Sequence, residues 1–380
     1  MTLQDDLKRW RSVALAAGIA GAALCAIGFF ISPFQFYRSY LWSYLFIVGV
    51  SVGSLAWLML QYLTGGAWGV VIRRPCEAAA RTLPLVALMF LPIAIGIPNL
   101  YPWSHAKIVA ADEILRHKQP YLNMPFFLTR AAIYLAGWNL LSWLFNRWSE
   151  RSHRKMTALA GPGLIFWGFS VTFMAVDWVL SLDPHWFSTM FGLLFMVGQA
   201  LSSMAFLIVV MVLVSRRPPM SEVLTPGHLH DLGKFLLALV MVWAYFSFSQ
   251  FLIIWAGNLP EEIPWYLVRL RGGWQYVALA LVIGHFALPF ALLLSRDLKR
   301  NYKLLAGIAI CVLFMRMVDL YWLVAPDFKK GPFSVSWMDF AAPIGLCGIW
   351  LAYFLIQLGE RPLMPVNDPH LVEALEHGRE

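Results

Sequence analysis

The sequence predicts an all-α fold, a polytopic transmembrane helical bundle of about ten spans, and three observations carry that prediction. Of 380 residues, 60% are hydrophobic and only 13% are charged, which is more apolar surface than a soluble domain of this size can hide. Apolar runs of roughly 20 residues, each long enough to cross a hydrocarbon core of about 30 Å as a helix, recur along the whole chain. The charged residues are gathered mainly between those runs.

The predicted spans are 11-31, 41-63, 82-99, 125-145, 162-181, 187-214, 233-256, 274-295, 304-324 and 337-357. The start, MTLQDDLKRWR, has the basic character of a signal-peptide n-region. Asp5, Asp6 and the long apolar stretch behind them favour a retained first span. Residues 103-120, WSHAKIVAADEILRHKQP, mix charged and apolar positions and predict a short helix at the outer interface that ends before Pro120. Residues 1-360 form a single integral membrane domain on this reading, and 361-380 form a polar cytoplasmic tail lying along the membrane face or against a partner.

An even span count places both termini in one compartment. On their side fall Lys8, Arg9, Arg11, Arg73, Arg74, Arg81, Arg147, Arg151, Arg154, Lys155, Arg216, Arg217, Lys234, Arg296, Lys299, Arg300, Lys303, Arg361 and Arg379. The opposite side holds Arg38, Lys107, Arg116, Lys118, Arg269, Arg271, Lys329 and Lys330, so the positive-inside rule makes the termini cytoplasmic. The net charge of +8 is thus spread over topology-setting clusters, with no continuous basic face for nucleic acid. Cys25, Cys76, Cys311 and Cys347 share no metal-ligand spacing and are assigned no chemistry.

An ionisable group near the bilayer centre costs at least a few kcal/mol, which makes each one a site hypothesis. Ser170, Asp177 and Ser181 share one face of the fifth span, and Asp183 and His185 follow in SLDPHW; a proton path to the outside and a plain helix-capping role both fit them. Arg316 and Asp319, three apart on the ninth span, are placed to neutralise each other. Arg130, just inside the outer end of the fourth span, either snorkels to the interface or faces inward to compensate Asp177 or Asp319. His285 stands near mid-membrane in GHFALPF, where Pro289 removes a backbone hydrogen bond, and reads equally as a proton relay or a hydrogen-bonded core histidine. Trp243, Ser247 and Gln250 share a face of the seventh span and serve as polar glue between helices, with Lys234 at the cytoplasmic end.

The remaining histidines, His105, His117, His153, His185, His228, His230, His370 and His377, fall in loops or the tail, so the spans offer no paired axial ligands for haem b. The chain also lacks a CxxCH motif, a cysteine framework for iron–sulfur, a P-loop and a Ser/His/Asp signature.

Five segments carry a resemblance: TGGAWG at 64-69, YPWSHA at 101-106, MAVDWVLSLDPHWFSTMFG at 174-192, GNLPEEIPWYLVR at 257-269 and RMVDLYW at 316-322. In these the chain resembles the NrfD/polysulfide-reductase type of integral membrane subunit, in the ten-span form of bacterial alternative complex III. It looks like the shorter of that complex's two related subunits, the one labelled the second quinone-binding subunit. The resemblance implies a multi-pass subunit, in the bacterial inner membrane, of a quinol:cytochrome c or quinol:acceptor oxidoreductase. Implied partners are a related larger NrfD-like subunit, an iron–sulfur subunit and multi-haem c-type cytochromes, which hold the iron–sulfur clusters and haem. It implies no cofactor bound by this chain, quinol as a diffusible substrate of the complex, and no catalysis by the chain alone. It further implies a proton path whose matching positions are Asp177 and Asp319 with Arg316, and less securely His285.

Two other readings stay open. One has the chain itself binding quinol near the outer interface through Trp178, Trp186, His185 and Asp177. The other is a secondary transporter using intramembrane Asp and Arg, for which the inverted repeats with broken helices are not detected.

Overall fold

The computed structural model describes residues 2–149, 152–328 and 331–365, and every regular element among them is helical. Ten long helices are α1 (Leu3–Ile31), α2 (Pro33–Thr64), α3 (Arg73–Ile95), α4 (Met124–Trp148), α5 (His153–Trp178), α6 (Phe191–Val214), α7 (Pro226–Gly257), α8 (Trp274–Leu294), α9 (Tyr302–Phe328) and α10 (Met338–Gly359). Among the described residues, nine of these are long and apolar enough to cross a bilayer. The exception is α4, which has the length, 25 residues, but whose Arg130, Asn139, Asn146 and Arg147 lower its hydropathy.

Helix α2 forms the centre, with every residue from Tyr37 to Met59 buried. Small residues along it admit a neighbouring backbone: a Cβ on Gly53 would sit 2.3 Å from the Gln199 carbonyl oxygen of α6. Helix α3 is broken into short pieces at Pro84 and Pro92, where a missing N–H and ring clash interrupt the ladder. The expected interfacial helix is two, Ala106–Ala111 and Glu113–Lys118, because Asp112 leaves the helix and caps the second piece through Ile114 N and Leu115 N. The Leu115 N–H bond also holds the Asp112 carboxyl below its ordinary pKa.

Helices α1 and α10 lie antiparallel along a glycine seam. A Cβ on Gly18 would meet Ile349 N at 2.6 Å, and one on Gly348 would meet Gly18 Cα at 2.6 Å. The contact continues to the helix ends, where Gln4 Nε2 donates to the Gly359 carbonyl at 3.1 Å. Both sides of the seam are backbone, so Gly348→Leu is expected to cost about 3 kcal/mol or more of seam packing. A cysteine pair introduced at Gln4 and Gly359 should cross-link in the parent chain and fail to do so once Gly348→Leu is added. Unchanged cross-linking would show that the seam tolerates the side chain.

The end of the bundle that holds Gln4 and Gly359 is called the near end, and its opposite the far end. The near end is tied by Glu77, which accepts from Arg74 Nη1 at 2.7 Å, Arg73 Nε at 3.4 Å, Ser149 Oγ at 2.7 Å and Arg361 Nη1 at 3.5 Å. The start of the predicted tail is therefore docked, with Leu363 and Met364 buried; residues 366–380 of that tail lie outside the described residues, as do Arg151, Lys329 and Lys330.

Candidate functional site

Two buried clusters hold the intramembrane charges singled out in the sequence. In the first, α4 and α5 bring Arg130 against Asp177 in a two-pronged pair, Nε to Oδ2 at 2.8 Å and Nη2 to Oδ1 at 2.9 Å. The Tyr134 hydroxyl donates to Asp177 Oδ2 at 2.8 Å. Arg130 spends a further N–H on the Tyr121 carbonyl at 3.1 Å, and its guanidinium lies 3.8 Å from the Tyr121 ring centre and 4.2 Å from that of Phe126. Of the two orientations open to Arg130, the structure takes the inward one, and its partner is Asp177. The Asp177 side chain is fully buried and its carboxylate accepts three hydrogen bonds, which fix it between α4 and α5.

The Ser170–Asp177–Ser181 face is divided among different tasks. Ser170 Oγ accepts from Trp138 Nε1 at 2.9 Å, and Ser181, past the end of α5, donates back to the Asp177 carbonyl at 2.5 Å. His185 is half exposed, with Nε2 2.7 Å from Asp112 Oδ2 and Nδ1 3.9 Å from Asp183 Oδ1. It links the loop after α5 to the interfacial helices at the far end.

The second cluster is built by α7, α8 and α9. Arg316 Nη1 donates to Asp319 Oδ2 across one helical turn, and Trp243 Nε1 donates to the same oxygen at 3.2 Å. The pair expected from the i, i+3 spacing is formed. Room for the guanidinium comes from Gly198 on α6, where a Cβ would lie 2.2 Å from Arg316 Nη2. His285 is fully buried with its ring edge-on to Trp243, centres 4.3 Å apart, and neither ring nitrogen has a hydrogen-bond partner among the described residues. It sits in a π-helical turn, Leu281–Ala287, four residues before Pro289. Proline at that position cannot donate to the His285 carbonyl and its ring crowds it, which accounts for the widened turn. Gln250, on the same face of α7, accepts from Ser188 Oγ at 3.0 Å and donates to the Tyr266 hydroxyl at 3.3 Å, bridging α7 to neighbouring loops. Lys234 pairs with Asp231 at 2.9 Å in an exposed position.

The four residues proposed to meet a quinol are each engaged with other side chains. Trp178 is fully buried against Phe90, ring centres 4.9 Å apart, while Trp186 stacks on Trp265 at 4.3 Å and 7°. Asp177 is held by Arg130 and Tyr134, and His185 by Asp112.

Two buried arginines read from the sequence as outer topology determinants prove to be structural. Arg38 on α2 pairs with Asp339 at the start of α10 at 2.9 Å, and Ser39 Oγ donates to the same carboxylate at 2.6 Å. Arg269 reaches Asp327 at 2.8 Å and the Leu323 carbonyl at 2.8 Å, capping α9 while lying 3.6 Å from the Trp265 ring centre. The signal available in the sequence was charge balance at one membrane face: Asp327 and Asp339 stand at the same predicted level as Arg38 and Arg269.

No protein-family model matches the chain, and no curated protein matches it. What fold and site define is a class: an all-helical, multi-pass membrane-type protein with ionisable pairs buried between its helices.

Proposed function

We propose that this chain is the shorter NrfD-like subunit of a quinol:acceptor oxidoreductase of the alternative complex III type, in a bacterial inner membrane, and that it conducts protons through the α7–α9 cluster. Two features support the membrane part of this reading: nine helices among the described residues are long and apolar enough to cross a bilayer, and the start of α1 meets the end of α10 at Gln4 and Gly359, which fits an even count in which α4 also crosses. With ten spans the Lys/Arg bias puts the termini in the cytoplasm and the far end outside.

The observation that carries the proton reading is the contrast between the two buried clusters. Asp177 is tied by a two-pronged arginine and a tyrosine and suits a structural role. His285 is buried next to the Trp243–Asp319–Arg316 group, and neither of its ring nitrogens has a hydrogen-bond partner among the described residues. A neutral imidazole with both nitrogens free can take a proton on one and release it from the other. Electrons would pass through iron–sulfur and haem partners, with quinol diffusing in the bilayer and this chain holding no cofactor. The test is quinol-driven proton release by the whole complex in proteoliposomes, with Asp319→Asn compared to the parent. Solute uptake by the purified chain alone would instead favour a secondary transporter.

A further inference from the structure

A cavity of about 640 Å³ opens on the side of the bundle between α7 and α8, floored by α9. Its walls are overwhelmingly apolar and aromatic, among them Phe248, Phe251, Phe286 and Phe290, and Phe248 is 61% exposed at its rim. An opening rimmed by exposed phenylalanine on a membrane-crossing surface faces hydrocarbon, and an apolar cavity of this kind does not hold water well. The occupant comes from the membrane.

The polar groups are ordered by depth. Along α8 the lining runs from Ala278 to Phe290, a distance of about 18 Å at 1.5 Å per residue. Helix α8 runs from Trp274 at the far end to Leu294, so the lining starts close to the far end and reaches past the middle of a hydrocarbon core of about 30 Å. Toward the far end the lining includes Tyr266, Leu270 and Trp322. The Tyr266 hydroxyl, which accepts from Gln250, keeps its own hydrogen to donate, while Trp322 lends its ring, its Nε1 being closed off from the cavity. Directly after Leu270 comes Arg271, which is exposed. From the middle of the bundle to the far end the lining is therefore an apolar channel with the Arg316–Asp319 pair and Trp243 at its floor, then the Tyr266 donor, and then a cation just beyond it.

We infer that this cavity is a binding site for one phospholipid of the far-end leaflet, with an acyl chain seated between α7 and α8, an ester carbonyl accepting from the Tyr266 hydroxyl, and the phosphate beside Arg271. The order of groups in such a lipid, hydrocarbon, ester and phosphate, is the order of groups in the site. Tyrosine at interface depth presents an apolar body and a donor to that ester level. A seated chain also keeps lipid-side water away from Asp319 and Trp243, which line the same cavity. The inference is independent of the proton reading, since it concerns occupancy and not turnover.

The test uses the full chain purified in mild detergent and washed with detergent, analysed by native mass spectrometry and by solvent extraction with separate assays for lipid phosphorus and quinone absorbance. The parent chain is expected to retain about one phospholipid, and Ala278→Trp, which fills the channel, close to none. Tyr266→Phe keeps the ring and loses the donor, so retention should fall roughly five- to tenfold; being nearly isosteric, it decides the matter if Ala278→Trp does not fold. Arg271→Gln should remove a preference for anionic over zwitterionic phospholipid on re-addition. Equal retention in parent, Ala278→Trp and Tyr266→Phe overturns the inference, as does a washed parent chain without phospholipid, or a quinone extracted one-to-one in its place.

Discussion

Asp177→Asn is expected to destabilise the bundle by about 3–5 kcal/mol, the usual result of removing one partner from a buried ion pair. The loss comes mainly from what stays behind. Arg130 is 7% exposed, is fixed by the Tyr121 carbonyl and two aromatic faces, and pairs with no second carboxylate among the described residues. An amide can accept one of its hydrogen bonds but cannot balance its charge, and the amide NH₂ meets a donor where the carboxylate met only donors. The measurement is resistance of the purified chain to thermal and denaturant unfolding. A double-mutant cycle sharpens it: Arg130→Met combined with Asp177→Leu removes both charges, so much of the loss should be recovered, because a well-packed apolar pair can replace a buried ion pair at little cost. If Asp177→Asn instead leaves stability intact and lowers proton release, the proton path runs through α4 and α5.

How much of this was legible in the sequence follows the range of each interaction. Helix number and order follow from runs of about 20 apolar residues, a local property. Arg316 and Asp319 lie within one turn, so spacing alone places them together. Arg130 and Asp177 sit on successive helices; depth in the membrane matched them, but equally matched Arg130 with Asp319, since hydropathy carries no lateral order. Arg38 and Asp339 are 301 positions apart and pair only because α2 and α10 are neighbours. Arg38 stands near a span end, where a charge costs little, and so it resembled a topology signal. Helix α4 was legible as a span at 125-145 although its hydropathy is lowered by polar residues, of which Arg130 turns inward to Asp177. The lipid-facing cavity had no local signature, because its walls come from helices whose packing no single stretch encodes.

At Asp319→Asn near-complete loss of proton release is expected, with electron transfer retained. The change leaves Arg316 buried without its carboxylate, so a loss of stability comparable to that at Asp177→Asn accompanies it, and a fixed uncompensated positive charge stands in the way of a passing proton. The comparison that separates conduction from packing is His285→Phe, which keeps an aromatic ring against Trp243 and removes both nitrogens. If protons travel through this cluster, Asp319→Asn and His285→Phe should each lower the ratio of protons released to quinol oxidised by the proteoliposome-embedded complex, while quinol oxidation continues once the proton gradient is dissipated with an uncoupler. An unchanged ratio in both variants would remove the cluster from the path and leave the α7–α9 charges a structural role. Loss of quinol oxidation even with uncoupler would instead place the cluster beside the quinol chemistry or in the assembly of the complex, and the amount of assembled complex after purification distinguishes those two.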